Sequence, residues 1–466
     1  MKFKTVLPIY LSEFTVRFCS WTVYSQLAVQ LLTRHHMSFE QAGLITGAVL
    51  SLAYLCVFLG GFAKDTVLNE KQCVMLGILL ILLGSNILLG PWILFYLAVS
   101  VISLGVGLVV PNLPLILSNS LGLQNTVQRE AEFMIFYGFT NGGAILGPLL
   151  AGWISMRWGW HGVALLNDGM LFVWGVFIFF SNWWSSLTRI SIKHYVGLVV
   201  SMVVIVVLGS GYLIFSFISK YFIIAILMGY TIFFVGVLLR QKQVRRPIIG
   251  CFFLMVLPMV YFIGEFQVLS SLTTFLSQFG HLSKAGFVFP TSVFVALESV
   301  FVLIVTALLY RLSRFQTLSL CWKAVLGLLL GSLAFWVLIL SSFQVGLHSV
   351  PMGWFILVMA LLGAGEVFLT PGVISRISAL APTQYKGRLM AGIYLSLAFS
   401  GAASGLISIT IEHIFVTENS LSIYHLSFMF SALLLLLLAI ILVLCKRYIN
   451  LVIANRSDNL SVLRKH

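Results

Sequence analysis

Charge is scarce in this chain. Only 9% of its 466 residues are Asp, Glu, Lys or Arg, and acidic residues number 13 against 27 basic ones. That leaves too little polar surface to cover a water-soluble globule of this length, so a soluble fold is excluded. Spacings that hold metals or disulfides are missing as well. The six cysteines (Cys19, Cys56, Cys73, Cys251, Cys321, Cys445) stand singly in or beside apolar segments, without a CxxC or Cys/His pattern. They read as small apolar fillers, and no metal is expected. No HExxH, GxSxG or paired-Asp motif lies within the apolar segments, which argues against an intramembrane enzyme. No repeated filter segment or ring-forming residue set occurs, which argues against a channel.

What the chain has instead is apolar length: 60% of it is hydrophobic and its mean hydropathy is +1.07. Runs long enough to span a bilayer fall near 7–33, 40–63, 72–91, 92–118, 131–155, 162–182, 195–216, 221–240, 247–276, 286–311, 319–341, 352–378, 386–411 and 424–446, with Gly90-Pro91 as the turn between the third and fourth. The expected class is therefore an all-α polytopic membrane protein of about 14 helices. Lys2 and Lys4 precede a segment longer than a signal peptide's apolar core, so no cleavage is expected.

The net charge of +14 does not indicate nucleic acid, because the basic residues are segregated. On this span count 22 of the 27 fall on one side, four (Arg34, Arg157, Lys220, Lys284) on the other, and Arg17 within the membrane. That asymmetry places both termini in the cytoplasm. Two groups of six helices around an extra pair suggest two pseudo-symmetric halves with a site between them. The expected division is 1–186 for the first bundle, 187–246 for the extra pair with its linkers, 247–448 for the second bundle and 449–466 for a basic tail. Short connections leave no room for a soluble domain. A single chain working as a monomer in the bilayer on a small-molecule solute is expected, with no nucleic-acid partner.

Inside the first apolar run stand Glu13 and Arg17, one helical turn apart. Each would cost several kcal/mol at bilayer depth unless it faced protein or a wet cavity, which makes the pair a functional-site candidate. An ion pair that only fixes helix packing is the alternative.

Glu13-x-x-Val16-Arg17-Phe18 resembles the ExxERF motif in the first helix of the proton-dependent oligopeptide transporter family of the major facilitator superfamily. Four more stretches resemble that family in the same order: Tyr54 with Gly60-Gly61-Phe62-Ala63-Lys64-Asp65, Gly105-Val106-Gly107 through Pro111-Asn112, Phe136-Tyr137-Gly138-Phe139-Thr140-Asn141, and Glu265-Phe266-Gln267 through Ser270-Ser271-Leu272-Thr273. The resemblance is to a divergent bacterial-type member, and it implies two six-helix bundles plus an extra pair, in the inner membrane.

By position, the resemblance gives Arg17 the substrate carboxylate, for which a planar fork of donors is suited. It makes Glu13 and Glu265 proton-coupling carboxylates and puts Trp21, Tyr54 and Asn141 in the pocket. Glu366, in Gly365-Glu366-Val367-Phe368-Leu369-Thr370-Pro371, takes a substrate amino group, and Tyr394 stands where the family often has Trp. Asp65 is expected to hold helices together at the gate rather than to bind solute. No cofactor is implied beyond protons as coupling ion.

Three positions depart from the family pattern. Val16 replaces a second Glu and Val110 its Lys partner, so a minus and a plus disappear together and no buried charge is orphaned. Glu298 stands where an Asn is usual, which turns a pocket amide into a carboxylate with both substrate-binding and proton-coupling potential. Four carboxylates then face one guanidinium, and like charges in a poorly screened site are relieved by a proton or by a cationic solute. The expected function is proton-coupled secondary transport of small zwitterions such as di- and tripeptides by rocking of the two halves. A carrier of another amine- or carboxylate-bearing compound (an amino acid, a siderophore or a drug), importing or exporting, is the alternative, and a non-transporting receptor a further one.

Overall fold

A backbone surrounded by apolar side chains and lipid has only itself to hydrogen-bond, and this chain answers with helices along nearly its whole length. The computed structural model describes residues 2–66, 68–121, 126–181, 192–215, 232, 236, 245–284, 287–311, 318–345, 349–382, 386–414 and 420–446. Among these, nine helical stretches are long and apolar enough to cross a membrane. The expected count of fourteen is not settled by them, since most of the run near 221–240 lies outside the described residues.

The helices in order are α1 (Lys2–Tyr24), α2 (Leu27–Thr33), α3 (Phe39–Thr66), α4 (Glu70–Ile87), α5 (Phe95–Val109), α6 (Leu113–Leu121), α7 (Thr126–Phe180) and α8 (Ile192–Ile214). After them come α9 (Arg245–Glu265), α10 (Ser271–Phe279), α11 (Ser292–Arg311), α12 (Leu320–Ser342), α13 (Met352–Leu380), α14 (Lys386–Ile414) and α15 (Ser420–Leu444). A two-stranded antiparallel hairpin, Ser283–Lys284 with Phe287–Val288, sits between α10 and α11. α1, α3, α4, α5 and α7 pack on one another, and α9, α11, α12, α13 and α15 do the same. α8 lies against α5, with Gly209 near Leu52 and Ser100.

Several expected spans are broken where the backbone chemistry requires it. The run 92–118 stops at Val109 and restarts at Leu113, because Pro111 cannot donate a helical hydrogen bond, and Asn112 caps the gap by donating to the Leu108 carbonyl at 2.8 Å. The runs 131–155 and 162–182 meet in a corner at Gly159, whose φ of 56° suits glycine. There Arg34 reaches across from the turn after α2 and donates to the carbonyls of Ser155 and Met156 at 2.9 and 3.0 Å. Carbonyls at an interruption of a helix favour a cationic donor, and Arg34 supplies it.

The two sets of helices touch most closely where α3 meets α14. Gly43 and Gly47 on α3 face Gly401 and Gly405 on α14, and a Cβ on Gly47 would stand 2.5 Å from the Gly401 carbonyl oxygen. Two small-xxx-small motifs thus let backbones approach in the apolar phase, where close packing supplies the attraction. This contact belongs to the end of the molecule where α2 turns into α3, termed the distal end. α7 and α11 also meet there, with the rings of Trp153 and Phe289 6.0 Å apart.

Candidate functional site

Glu13 and Arg17 are four residues apart on α1 and so share one face. Arg17 Nε donates to Glu13 Oε1 at 2.7 Å, and Thr140 Oγ1 on α7 donates to the same oxygen at 3.0 Å. Glu13 is 1% exposed, while the Arg17 side chain, at 26%, still faces open space. That space is a cavity of about 250 Å³ between the two sets of helices.

Its first wall carries Arg17 and Trp21 from α1, Tyr54 from α3, and Tyr137, Thr140 and Asn141 from α7. The α7 residues recur at the three- and four-residue spacing of a single helix face. Asn141 donates to the carbonyl of Tyr137 at 3.0 Å. Both Tyr54 and Tyr394 lie within electrostatic reach of the Arg17 guanidinium.

Three carboxylates stand on the second wall: Glu265 at the end of α9, Glu298 on α11 and Glu366 on α13, accompanied by Ser299, Thr370 and Tyr394. They act electrostatically on one another, Glu265 feeling both Glu298 and Glu366. Glu265 is presented by a break in the helix: after it the chain takes one 3-10 turn, Phe266–Val268, before α10 begins. Gln267 anchors that turn by donating to the Ser404 carbonyl at 2.9 Å and accepting from Ser271 Oγ at 2.5 Å. The Phe266 ring then stacks on Tyr54 across the cavity, with centroids 5.7 Å apart.

All of the expected substrate-contacting residues (Arg17, Trp21, Tyr54, Asn141, Glu298, Glu366, Tyr394) line this one cavity, as does Glu265. Glu13 sits behind Arg17 rather than on the surface of the cavity. The side chain of Asp65 lies outside the described residues. Val16 and Val110 are both buried in the apolar core. Asp168 is off the cavity and accepts from Asn86 Nδ2 at 3.3 Å, a link between α7 and α4. Sequence reasoning missed Tyr137, Thr140, Ser299 and Thr370. The first two were findable, since both lie on the α7 face that carries Asn141, and Thr370 follows Glu366 by one turn. Ser299 has no periodic signal.

Among the described residues, Glu13 Oε2, Glu265 Oε2, Glu298 Oε1 and Thr370 Oγ1 are buried without a partner. Arg17 is the one Lys, Arg or His among the lining residues. No three His, Cys, Asp or Glu among the described residues are placed to hold a metal ion. A second cavity, of about 300 Å³, lies at the distal end between Arg34, His35, Trp92 and Trp158, and no carboxylate lines it.

Comparison with known proteins places this geometry. A family model described as POT family matches residues 65–424. The peptide transporter YePEPT of Yersinia enterocolitica is 25% identical over 405 residues, 79% of each chain. Dipeptide and tripeptide permease A of Cronobacter turicensis is 25% identical over 442 residues, 90% of this chain and 88% of that one. Among solved structures, a peptide transporter POT in complex with sulfate superposes with a TM-score of 0.83 at 22% identity, covering 96% of this chain and 95% of the other. A POT family transporter in complex with 5-aminolevulinic acid gives 0.81 at 21% identity, covering 95% and 96%. These superpositions give the fold: an all-α major facilitator arrangement of two helix bundles.

Proposed function

This chain belongs to the POT family, and we propose that it is a proton-coupled secondary transporter of small zwitterions, di- and tripeptides foremost, working by alternating access. The observation that carries this reading is a single cavity in which one guanidinium on the first wall faces three carboxylates on the second. A free peptide offers the complementary pair of charges. Its carboxylate meets Arg17, whose Nε is held by Glu13 and whose fork therefore points one way. Its amino group meets Glu366 or Glu298.

Three carboxylates without a cation among them cannot all be ionised at once in a poorly screened space, so one of them, Glu265 by its position on the broken helix, carries the coupling proton. The α3–α14 glycine contact closes the distal end of the cavity. With both termini cytoplasmic, as the basic-residue asymmetry argues, the distal end is the outer one and the structure is inward-facing. Rocking of the bundles about the cavity would open that contact and expose Arg17 to the other side.

Membership of a transporter family speaks against an enzyme. In the bacterial inner membrane a single chain suffices for the cycle, since each wall of the cavity comes from the same polypeptide. A specific observation favours a second reading, a carrier of another amine-bearing solute: Glu298 and Val110 stand where the resemblance predicted an amide and a cation.

Reconstituted into proteoliposomes, the chain is expected to accumulate Ala-Ala when an inward pH gradient is imposed, and to stop when the gradient is collapsed. Thermal stabilisation by the peptide in detergent without any uptake would mark a receptor and overturn the transport reading.

A further inference from the structure

We infer that this cavity selects solutes bearing two cationic nitrogens, such as dipeptides with a lysine side chain, over neutral and acidic ones; the inference rests on the cavity being the transport site.

The balance of charge is the starting point. On the first wall Arg17 and Glu13 neutralise each other at 2.7 Å. On the second, Glu265, Glu298 and Glu366 stand together, and the one cation among the lining residues, Arg17, is on the opposite wall and already paired. One amino group answers one of them, and a coupling proton answers another. A third acid is still without a partner, and a neutral dipeptide has nothing to offer it.

Glu298 is the acid in question. It is 8% exposed, it lines the cavity, and its Oε1 has no hydrogen-bond partner among the described residues. A buried carboxylate oxygen with no donor is costly to leave unmet, so a ligand that brings a donor is favoured out of proportion to its size. Its distance from Glu366 is also constrained. α11 and α13 are in close backbone contact at this level, since a Cβ on Gly363, less than one turn from Glu366, would lie 2.9 Å from the Glu298 carbonyl oxygen. Two carboxylates on adjoining helices, offset by about a turn, suit two ammonium groups on one small molecule better than one shared between them. Phe262, Ile393 and Leu397 also line the cavity, an apolar surface along which the methylene stem of a lysine can lie.

The test compares Lys-Ala, Ala-Ala and Glu-Ala on the full-length chain, by thermal stabilisation in detergent and by pH-driven uptake into proteoliposomes with the membrane potential clamped at zero. Lys-Ala is expected to bind about tenfold tighter than Ala-Ala, the size of a modest close charge pair, with Glu-Ala weakest. In Glu298→Gln the ratio of Lys-Ala to Ala-Ala is expected to collapse to within about twofold, while Glu298→Asp, which keeps the charge, retains part of it. Equal affinities in the unaltered chain, or a preference that survives Glu298→Gln, overturn the inference. Failure of the transport reading is distinguishable: the same order of binding without uptake upholds the selectivity and overturns transport.

Discussion

The two walls of the cavity handle charge in opposite ways. On the first, a guanidinium and a carboxylate from one helix bind each other, and a threonine from a second helix donates to the same carboxylate oxygen. On the second, three acids from three helices face the cavity, and two of them have oxygens without a donor. On the first wall folding supplies the acid with its cation; on the second a cation comes only with what enters. A carrier needs both kinds: a fixed point that orients the solute, and groups whose charge state can change during the cycle.

Breaking the first wall should have the largest effect. Arg17→Ala strands Glu13 at 1% exposure, and the loss of one partner from a buried pair costs about 3–5 kcal/mol. A large drop in the thermal midpoint of the detergent-solubilised chain is expected, with uptake abolished. The double variant Glu13→Gln with Arg17→Gln should recover much of the midpoint but none of the uptake. If the double variant is as unstable as the single one, the pair is not what holds the wall together.

The comparison has meaning only while the walls face each other, which the glycine contact at the distal end enforces. Gly401→Val places new carbons against the backbone of Ser51 and Gly47, where a Cβ alone would stand 2.7 Å from the Ser51 nitrogen. Overpacking of this kind costs about 1–3 kcal/mol, here charged against the closed state alone. Uptake should fall about tenfold while solute still stabilises the protein in detergent. Wild-type uptake by this variant would remove the contact from the transport cycle.

On the second wall the sign of the stability change should reverse. Glu265→Gln removes a buried acid that has two acids for company and no cation on its own wall, so the thermal midpoint is expected to rise, by the few degrees that correspond to on the order of 1–2 kcal/mol of stability, even as pH-driven uptake is lost. Exchange of labelled for unlabelled peptide across the membrane without a gradient should persist. A fall in the midpoint would mean that Glu265 has a partner that holds the helix break together.

Much of the cavity was legible in the sequence because most of its residues sit in stretches that resemble one family's motifs in the same order, Glu298 being noticed as a departure from one of them. Glu13, Arg17, Tyr54, Asn141, Glu265, Glu298 and Glu366 were all named from such stretches and meet in one place. What escaped was pairing between distant segments. The Gly43/Gly47 and Gly401/Gly405 spacings are visible in the chain, but nothing local says that they find each other across some 350 residues. Thr140 was read as part of a motif and not as the second donor to Glu13, because a hydrogen bond between helices depends on rotation about both axes. Span boundaries blurred for a similar reason: a hydropathy run continues through Pro111 and Gln267, where the backbone turns.

The smallest effect offers a control away from both walls. At the distal end, in the second cavity, whose lining carries no carboxylate, the His35 ring lies on Trp92 with centroids 3.6 Å apart. Burial, and then the charges of Arg34 and His36, hold its pKa below the ordinary 6.5. The fold therefore favours the neutral ring, and its contribution to stability is complete above the unfolded value and lost as pH falls from there through the lower folded value. A protonated ring over tryptophan would gain a cation–π contact, but burial and the neighbouring Arg34 outweigh it. His35→Phe keeps the stack and removes the titration, so the thermal midpoint between pH 7.5 and 5.5 should decline less steeply than in the unaltered chain. The pH dependence of uptake should not move, because its protons belong to the second wall. If His35→Phe shifted the uptake profile and Glu265→Gln did not, the division of labour between the walls would be wrong, and proton coupling would have to be sought at the distal end.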